Sequence, residues 1–345
     1  MFRFILMLLT IMPLILFAQT AQSVADTQSA QQNYTQQEQY NKFVEDSYAY
    51  KKAADKGDAE AQYQYAIFME KNEGYFYSSD AFLMDKKAAE QGHAMAQYKV
   101  GLCYDNGYGI VKDSNQAFKW YDKSAQSGYP EAQYTMGKCH EIGIGVTVND
   151  TLALDWYKKS ASKGYSEAQY ELGVFYAKGK GTAVDTLESF KWFKAAATNG
   201  LAKSQYLIAC DYFFGKGIGQ DQAEAVKWFT TAAEQDYPDA IVDLGICYEK
   251  GYGVAQDKSK AVEKYFKAAE LGTARAFSSL TLCYNYGIGV ETNIGSAYYY
   301  ARIGALYQDK QCIGFCKLLE PNFNPQDLEK INQAANQWYN EKNGK

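Results

Sequence analysis

Two amphipathic patterns alternate along the chain and together repeat every 36 residues. In each pattern, small and aromatic residues recur three or four positions apart, which is the spacing of one helix face. The first pattern, over residues 130–142, contains Ala132, Met136, Gly137 and His140. The second, over residues 114–127, contains Ala117, Trp120, Tyr121 and Ser124. Each repeat is therefore predicted to hold two helices.

Glycine, acidic and amide residues mark the ends of these predicted helices. A glycine pair ends the first helix of each repeat, as at Gly143 and Gly145, because glycine tolerates the positive φ of a helix end. An Asp or Asn precedes the second helix, where its side chain can accept hydrogen bonds from free N–H groups. These capping positions are Asp113, Asn149, Asp185, Asp221, Asp257 and Asn293. Pro130 and Pro238 stand where first helices begin, since a missing N–H costs nothing there.

Neither helix of a repeat can bury its apolar face alone, so neighbouring repeats must stack. The sequence predicts an all-α fold, a right-handed α-solenoid of about seven helix-turn-helix repeats over residues 46–305. The first helices of the repeats would line its inner wall. The glycine pattern stops after Ala305, and residues 306–345 are expected to cap the array with a helix that begins near Pro325.

The repeat resembles the Sel1-like repeats, which are related to tetratricopeptide repeats. The segments that carry the resemblance are residues 128–134 (GYPEAQY) with 143–146 (GIGV), and residues 164–170 (GYSEAQY) with 179–181 (GKG). The resemblance covers roughly residues 46–305. It implies scaffold or adaptor work, with known roles in membrane-associated assemblies, endoplasmic-reticulum quality control and bacterial envelope or host contact. Because a fold does not fix a function, these roles are expectations only.

The first 25 residues have the pattern of a secretory signal peptide. Arg3 precedes an apolar run over residues 4–17, which is too short to span a bilayer comfortably. Ser23 and Ala25 supply the small residues of a cleavage site. An uncleaved anchor is the alternative. Residues 26–45 form a polar leader that we expect to be flexible, and the mature chain is expected to be periplasmic or extracellular and not an integral membrane protein.

The composition of the 345-residue chain narrows the function classes. With 35 basic and 40 acidic residues the net charge is −5, which argues against a protein that coats nucleic acid. His93 and His140 are the two histidines, so a histidine-rich metal site is excluded. We expect both to be structural. No nucleophile–base arrangement can be placed, and we expect no catalytic, metal or cofactor site.

The seven cysteines are expected to be small buried hydrophobes. Cys103, Cys139, Cys247 and Cys283 occupy the same position of the repeat, and Cys210 lies one residue before it. Equivalent positions in stacked repeats are about 10 Å apart, which exceeds the reach of a disulfide. Cys312 and Cys316 could pair with each other or with Cys283. The paired cysteines of cysteine-rich relatives are absent, so those disulfides and their reported β-lactam-related activity do not carry over.

The candidate partner-binding residues lie on the predicted inner wall of first helices. They are Tyr98, Tyr134, Tyr170, Tyr206, Asp105, Lys138, Glu141 and Glu249. Tyrosine offers a large, rigid contact area with a polar tip, which suits peptide recognition. The alternative is that these tyrosines only pack against the neighbouring repeat.

We therefore expect a non-catalytic, monomeric scaffold that binds a protein or peptide on its concave face. Two other functions stay open. One is a cell-wall-related hydrolase of the β-lactamase type, which rests only on the resemblance. The other is an adaptor of the endoplasmic-reticulum lumen.

Overall fold

The computed structural model describes residues 45–73, 78–216 and 218–344, together with Glu38 and Lys42. In this part of the chain the regular structure is helical throughout, without a strand, which confirms the predicted all-α class. The proposed signal peptide and nearly all of the polar leader lie outside the described residues. The chain forms two compact units, one ending at Tyr129 and the other beginning at Pro130.

In the described part of the first unit, a helical segment over residues 45–54 (α1) precedes four further helices. These four are α2 (Ala59–Glu73), α3 (Ser79–Glu90), α4 (Ala94–Asn106) and α5 (Ser114–Gln126). The helix α2 packs on α3, α3 on α4 and α4 on α5. The unit is thus a stack of helical hairpins with short connections.

The second unit continues the same two-helix repeat. Its first helices are α6 (Pro130–Ile142), α8 (Ser166–Lys178), α10 (Ala202–Phe214), α12 (Pro238–Lys250) and α14 (Ala274–Tyr286). Its second helices are α7 (Asp150–Ser162), α9 (Thr186–Thr198), α11 (Gln222–Glu234), α13 (Lys258–Glu270) and α15 (Ile294–Leu306). Each helix packs on the next along the chain. We call the surface formed by α6, α8, α10, α12 and α14 the first-helix surface.

Two further helices complete the second unit at its C-terminal end. The helix α16 (Lys310–Leu319) and a 3-10 turn (Glu320–Asn322) lead to α17 (Pro325–Lys342), and α16 and α17 both pack on α15. Ala335 of α17 is buried, and Trp338 packs edge-on against Phe277 with ring centres 5.4 Å apart. One face of α17 therefore covers the preceding hairpin of α14 and α15.

The helix ends follow the predicted capping chemistry. All six predicted capping residues accept hydrogen bonds from free N–H groups, as when the Asp113 carboxylate accepts from Asn115 at 2.9 Å. The second glycine of a pair has a tighter requirement. Gly253 has φ +66°, and a Cβ atom there would collide with the carbonyl of Gln222 in the preceding second helix. Glycine at this position lets two repeats approach closely.

Small residues on the first helices make room for aromatic rings on the second. The rings of Tyr121, Tyr157 and Tyr265 are fully buried. A Cβ atom on Gly137 would lie 2.5 Å from the ring of Tyr157. Each repeat is thereby packed to a fixed distance between its two helices.

Six of the cysteines are buried as expected, whereas Cys210 is only partly buried, and both histidines have contacts inside the fold. The four cysteines that share one repeat position are buried, and all seven carry free thiols. Burial raises the pKa of Cys103 to about 12, so its thiol stays protonated at neutral pH. His93 caps α4, since its Nδ1 accepts the N–H of Ala96 at 3.2 Å and its Nε2 lies 2.8 Å from the Glu60 carboxylate. His140 is buried.

Candidate functional site

The four predicted wall tyrosines are half-buried and pack against the next second helix. Tyr134 lies 5.8 Å from the ring of Tyr157 and 5.3 Å from that of Tyr165. Tyr98 and Tyr206 have the same kind of neighbours, at 5.6 Å and 5.9 Å. One part of each ring therefore belongs to the core, and the remainder is open for contact with a ligand.

The three predicted acids each accept a hydrogen bond from a buried tyrosine of the same repeat. Glu141 accepts a hydrogen bond at 2.7 Å from the hydroxyl of Tyr157, which lies 16 residues later on the second helix. Glu249 accepts from Tyr265 at 2.8 Å, and Asp105 accepts from Tyr121 at 3.4 Å. A buried phenol needs such an acceptor, because an unmade hydrogen bond is costly in the core.

The same two positions change together in the other repeats. Where the second helix carries Phe193, the acid position holds Ala177, and where it carries Phe229, that position holds Phe213. An acid is thus present where a buried hydroxyl must be satisfied and absent where a ring without a hydroxyl takes its place. Comparing these two positions across the repeats would have exposed the pairing from the sequence alone.

Lys138 and Glu141 belong to a network of ion pairs in which each charged group lies next to a group of opposite charge. The Lys138 ammonium lies 3.0 Å from Glu171 and 3.3 Å from Glu141, and Lys180 lies 2.8 Å from Glu141. Burial acts to raise the pKa of Glu141, but hydrogen bonds from Lys180 and Tyr157 hold it below its ordinary value. The network joins α6 to α8, and its cations and anions are already paired.

The first unit contains a buried ion pair at the position where other repeats carry an aromatic ring. Asp85 stands 36 residues before Tyr121 and is fully buried. The Lys99 ammonium lies 3.1 Å from Asp85 and 2.8 Å from Glu70. Burial raises the pKa of Asp85 to about 7 despite this lysine. A single ammonium, that of Lys99, thus lies between two carboxylates in the core, and sequence analysis missed all three residues.

A pocket opens on the first-helix surface of the second unit, and we call it the Tyr206 pocket. Its volume is about 440 Å³, within the range of about 300–1,000 Å³ that ligand pockets occupy. The lining residues are Tyr206, Cys210, Phe213, Phe214, Phe229, Asp243, Ile246, Tyr252 and Arg275. Tyr206 is the predicted wall residue that lines the pocket, and the other seven predicted residues lie outside its lining.

Aromatic side chains form most of the pocket wall. The ring of Phe213 packs edge-on against Phe214 at 5.0 Å and against Tyr252 at 5.6 Å. Phe214 keeps 62% of its surface exposed, which is unusual for a phenylalanine and leaves it free to contact a ligand. Phe213 occupies the repeat position that holds Glu141 and Glu249 in other repeats. This replacement of an acid by an aromatic ring is the feature of the sequence that could have indicated the pocket.

The polar groups of the pocket satisfy one another. Asp243 accepts hydrogen bonds from the Tyr206 hydroxyl at 2.9 Å and from Arg275 at 2.5 Å. Arg275 also donates to Asp239 at 3.0 Å. Burial acts to lower the pKa of Arg275, but its bonds to Asp243 and Asp239 raise it above the ordinary value. Burial raises the pKa of the Cys210 thiol to about 11, so it is a poor nucleophile at neutral pH.

The arrangement is suited to holding an apolar side chain. Fully burying a large apolar side chain is worth about 1.5–3 kcal/mol, and the paired polar groups at the wall fix its orientation.

A wider depression of about 630 Å³ lies on α9, where the stems of Lys191 and Lys194 line an open surface. Among the described residues, no cluster of His, Cys, Asp and Glu could hold a metal ion, and no helix there has the length and apolarity to cross a bilayer.

Comparison with known proteins places the repeats in a family. The Sel1 repeat family matches residues 94–129, 130–165, 166–201, 202–237, 238–273 and 276–306. No functionally curated protein matches the chain.

Two crystal structures illustrate the likeness. A Sel1 repeat protein from Oxalobacter formigenes is 28% identical with a TM-score of 0.61, covering 70% of this chain and 96% of its own. A protective antigen of uropathogenic Escherichia coli strains, which displays an SLR fold, is 24% identical with a TM-score of 0.41, covering 85% of this chain and 78% of its own. With six matched repeats over more than half of its length, the chain belongs to the Sel1 repeat family.

Proposed function

We propose that the chain is a non-catalytic scaffold that binds a protein partner by taking an apolar side chain of a peptide segment into the Tyr206 pocket. Sel1 repeat proteins are generally protein-interaction scaffolds. The observation that carries the proposal is the pocket itself, in which exposed aromatic rings surround polar groups that are already paired. Such a site offers contact area but no group that would attack a substrate.

The proposed location is the periplasm or the extracellular space. The support is the signal-peptide pattern over residues 1–25. A scaffold in that location would meet envelope or secreted proteins, and the partner would be one that presents an accessible apolar residue.

A library of short random peptides displayed on phage tests the proposal. Peptides selected on the purified chain are then measured by fluorescence anisotropy against two variants. Phe214→Lys alters the pocket wall, and the fold tolerates lysine there because Lys178 and Lys250 occupy the same repeat position. Tyr286→Lys is the matched control, since Tyr286 shares that position, is 65% exposed and lies outside the pocket.

We expect Phe214→Lys to weaken the selected peptides by about tenfold or more, because part of the apolar wall is lost. Tyr286→Lys should leave their affinity unchanged. If the two variants weaken binding equally, or if neither does, the pocket is not the binding site. Saturable hydrolysis of cell-wall fragments by the purified chain would contradict the non-catalytic part of the proposal.

A further inference from the structure

Lys203 stands beside the Tyr206 pocket without a carboxylate partner. It lies on α10 three residues before Tyr206, so the two side chains project from the same side of the helix about 5–6 Å apart. Its ammonium lies 3.5 Å from the centre of the Tyr170 ring. Among the residues that the structure describes, no acidic oxygen lies within 4.0 Å of it. Lys203 is half-buried, and burial lowers its pKa.

The neighbouring cations of the first-helix surface are paired. Lys138 is held by Glu171, and Arg275 is held by Asp239 and Asp243. Glu171 and Glu167 act on Lys203 only as more distant charges, and Glu171 is already bound by Lys138. A half-buried ammonium that contacts only a ring face would gain from a carboxylate brought by a ligand.

The nearest carboxylates of the pocket already hold donors. Asp243 has one oxygen bonded to Tyr206 and the other to Arg275, and Arg275 also binds Asp239. Among the described residues at this site, the cation that has no ion-pair partner is Lys203, whose ammonium lies over the Tyr170 ring on the side of α8.

We infer that the ligand of the Tyr206 pocket is a peptide in which an acidic side chain lies within one or two residues of the apolar anchor, with its carboxylate on Lys203. The inference rests on the proposed function. Lys203 and Tyr206 stand less than one helical turn, about 5.4 Å, apart along α10, and an extended peptide advances about 3.3 Å per residue, so one or two peptide residues bridge these two positions. The apolar anchor supplies affinity, and the acid sets the direction in which the peptide lies across the repeats.

The repeat supplies a variant that reverses this charge without disturbing the fold. Glu131, Glu167 and Asp239 occupy the position of Lys203 in other repeats, so Lys203→Glu places a residue that the architecture already accepts. Lys158→Glu, at an exposed position of α7, makes the same change in net charge away from the first-helix surface.

The experiment is a charge swap on the phage-selected peptides. We expect Asp or Glu to be enriched within two residues of the aromatic or aliphatic anchor. Changing that acid to Lys should weaken binding to the wild-type chain by about tenfold or more, because like charges then meet across the site. The same Lys-containing peptide should regain affinity on the Lys203→Glu chain and gain nothing on the Lys158→Glu chain.

The outcomes separate this inference from the proposed function. If the affinity of the selected peptides depends on Phe214 but the peptides show no enriched acid and no charge swap, the pocket remains the proposed binding site and the assignment of Lys203 is wrong. If no selected peptide depends on Phe214, both are overturned. Peptides that instead carry an enriched Lys or Arg beside the anchor would also refute the inference.

Discussion

The pairing of Glu249 with Tyr265 can be tested by a double-mutant cycle. Tyr265 is fully buried and donates to Glu249 at 2.8 Å, while the other Glu249 oxygen lies 2.6 Å from the exposed Lys250. Tyr265→Phe removes a hydrogen bond to a charged group and should lower the free energy of unfolding by about 1.5–3 kcal/mol. Glu249→Ala leaves the phenol without an acceptor and should cost about 1–3 kcal/mol.

The double variant reproduces a combination that the chain already contains. Tyr265→Phe with Glu249→Ala gives the pair found at Phe193 and Ala177. It should therefore lose less stability than the sum of the single changes, with an interaction energy of about 1–2 kcal/mol. The free energies are measured by urea denaturation followed by circular dichroism, with the denaturant slope compared among variants to check that the transition stays the same.

A control cycle replaces Glu249 by Glu263, an acid on the same helix as Tyr265 that does not accept its hydrogen bond. Glu263 is exposed and pairs with Lys264, so Glu263→Ala combined with Tyr265→Phe should be additive. If the Glu249 cycle is additive to within about 0.5 kcal/mol, the hydrogen bond contributes nothing and the account of the predicted acids as structural acceptors is wrong.

Three other consequences can be measured directly. Gly253→Ala should destabilise the second unit by about 2–4 kcal/mol through positive φ and the backbone collision, whereas Gly219→Ala, which has open space, should cost little in the same denaturation assay. Burial raises the pKa of Asp85 to about 7, so the folded chain binds more protons than the unfolded one between about pH 4 and about pH 8. Hydrogen exchange in the first unit should therefore become faster as the pH rises from 5 to 8 by more than its intrinsic pH dependence, and Asp85→Asn should remove that excess. The intact mass of the chain from its native host should equal that of a chain beginning at Asp26, and a mass that includes residues 1–25 would refute the cleavage site.

Local chemistry explains why so much of the fold was predictable. A cap such as Asp113 acts on N–H groups two or three residues away, and a glycine such as Gly107 ends a helix by its own backbone conformation. These signals recur in six successive repeats, so a helix boundary that is ambiguous in one repeat is fixed by the others. The stacking of repeats then follows from the apolar face that each helix leaves uncovered.

The candidate site was less predictable because it depends on side chains that stacking brings together. Phe214 and Arg275 are 61 residues apart in the chain, yet both line the Tyr206 pocket. The acids predicted to lie on the wall, such as Glu141, do lie on first helices, but each accepts a hydrogen bond from a buried tyrosine 16 residues later. The position of an acid within one repeat does not distinguish an acid that serves the core from one that serves a ligand, whereas comparing the acid and tyrosine positions across the repeats does.

Hydrogen exchange with and without a selected peptide tests the central claim most directly. If the Tyr206 pocket is the binding site, peptide addition should slow exchange in segments covering the second half of α10, the end of α12 and the start of α14. The segment of α6 around Lys138 should change little, because that lysine is already paired with Glu171 and Glu141. Protection confined to α6 and α8 or to the first unit, with none around Phe214 and Arg275, would contradict the account.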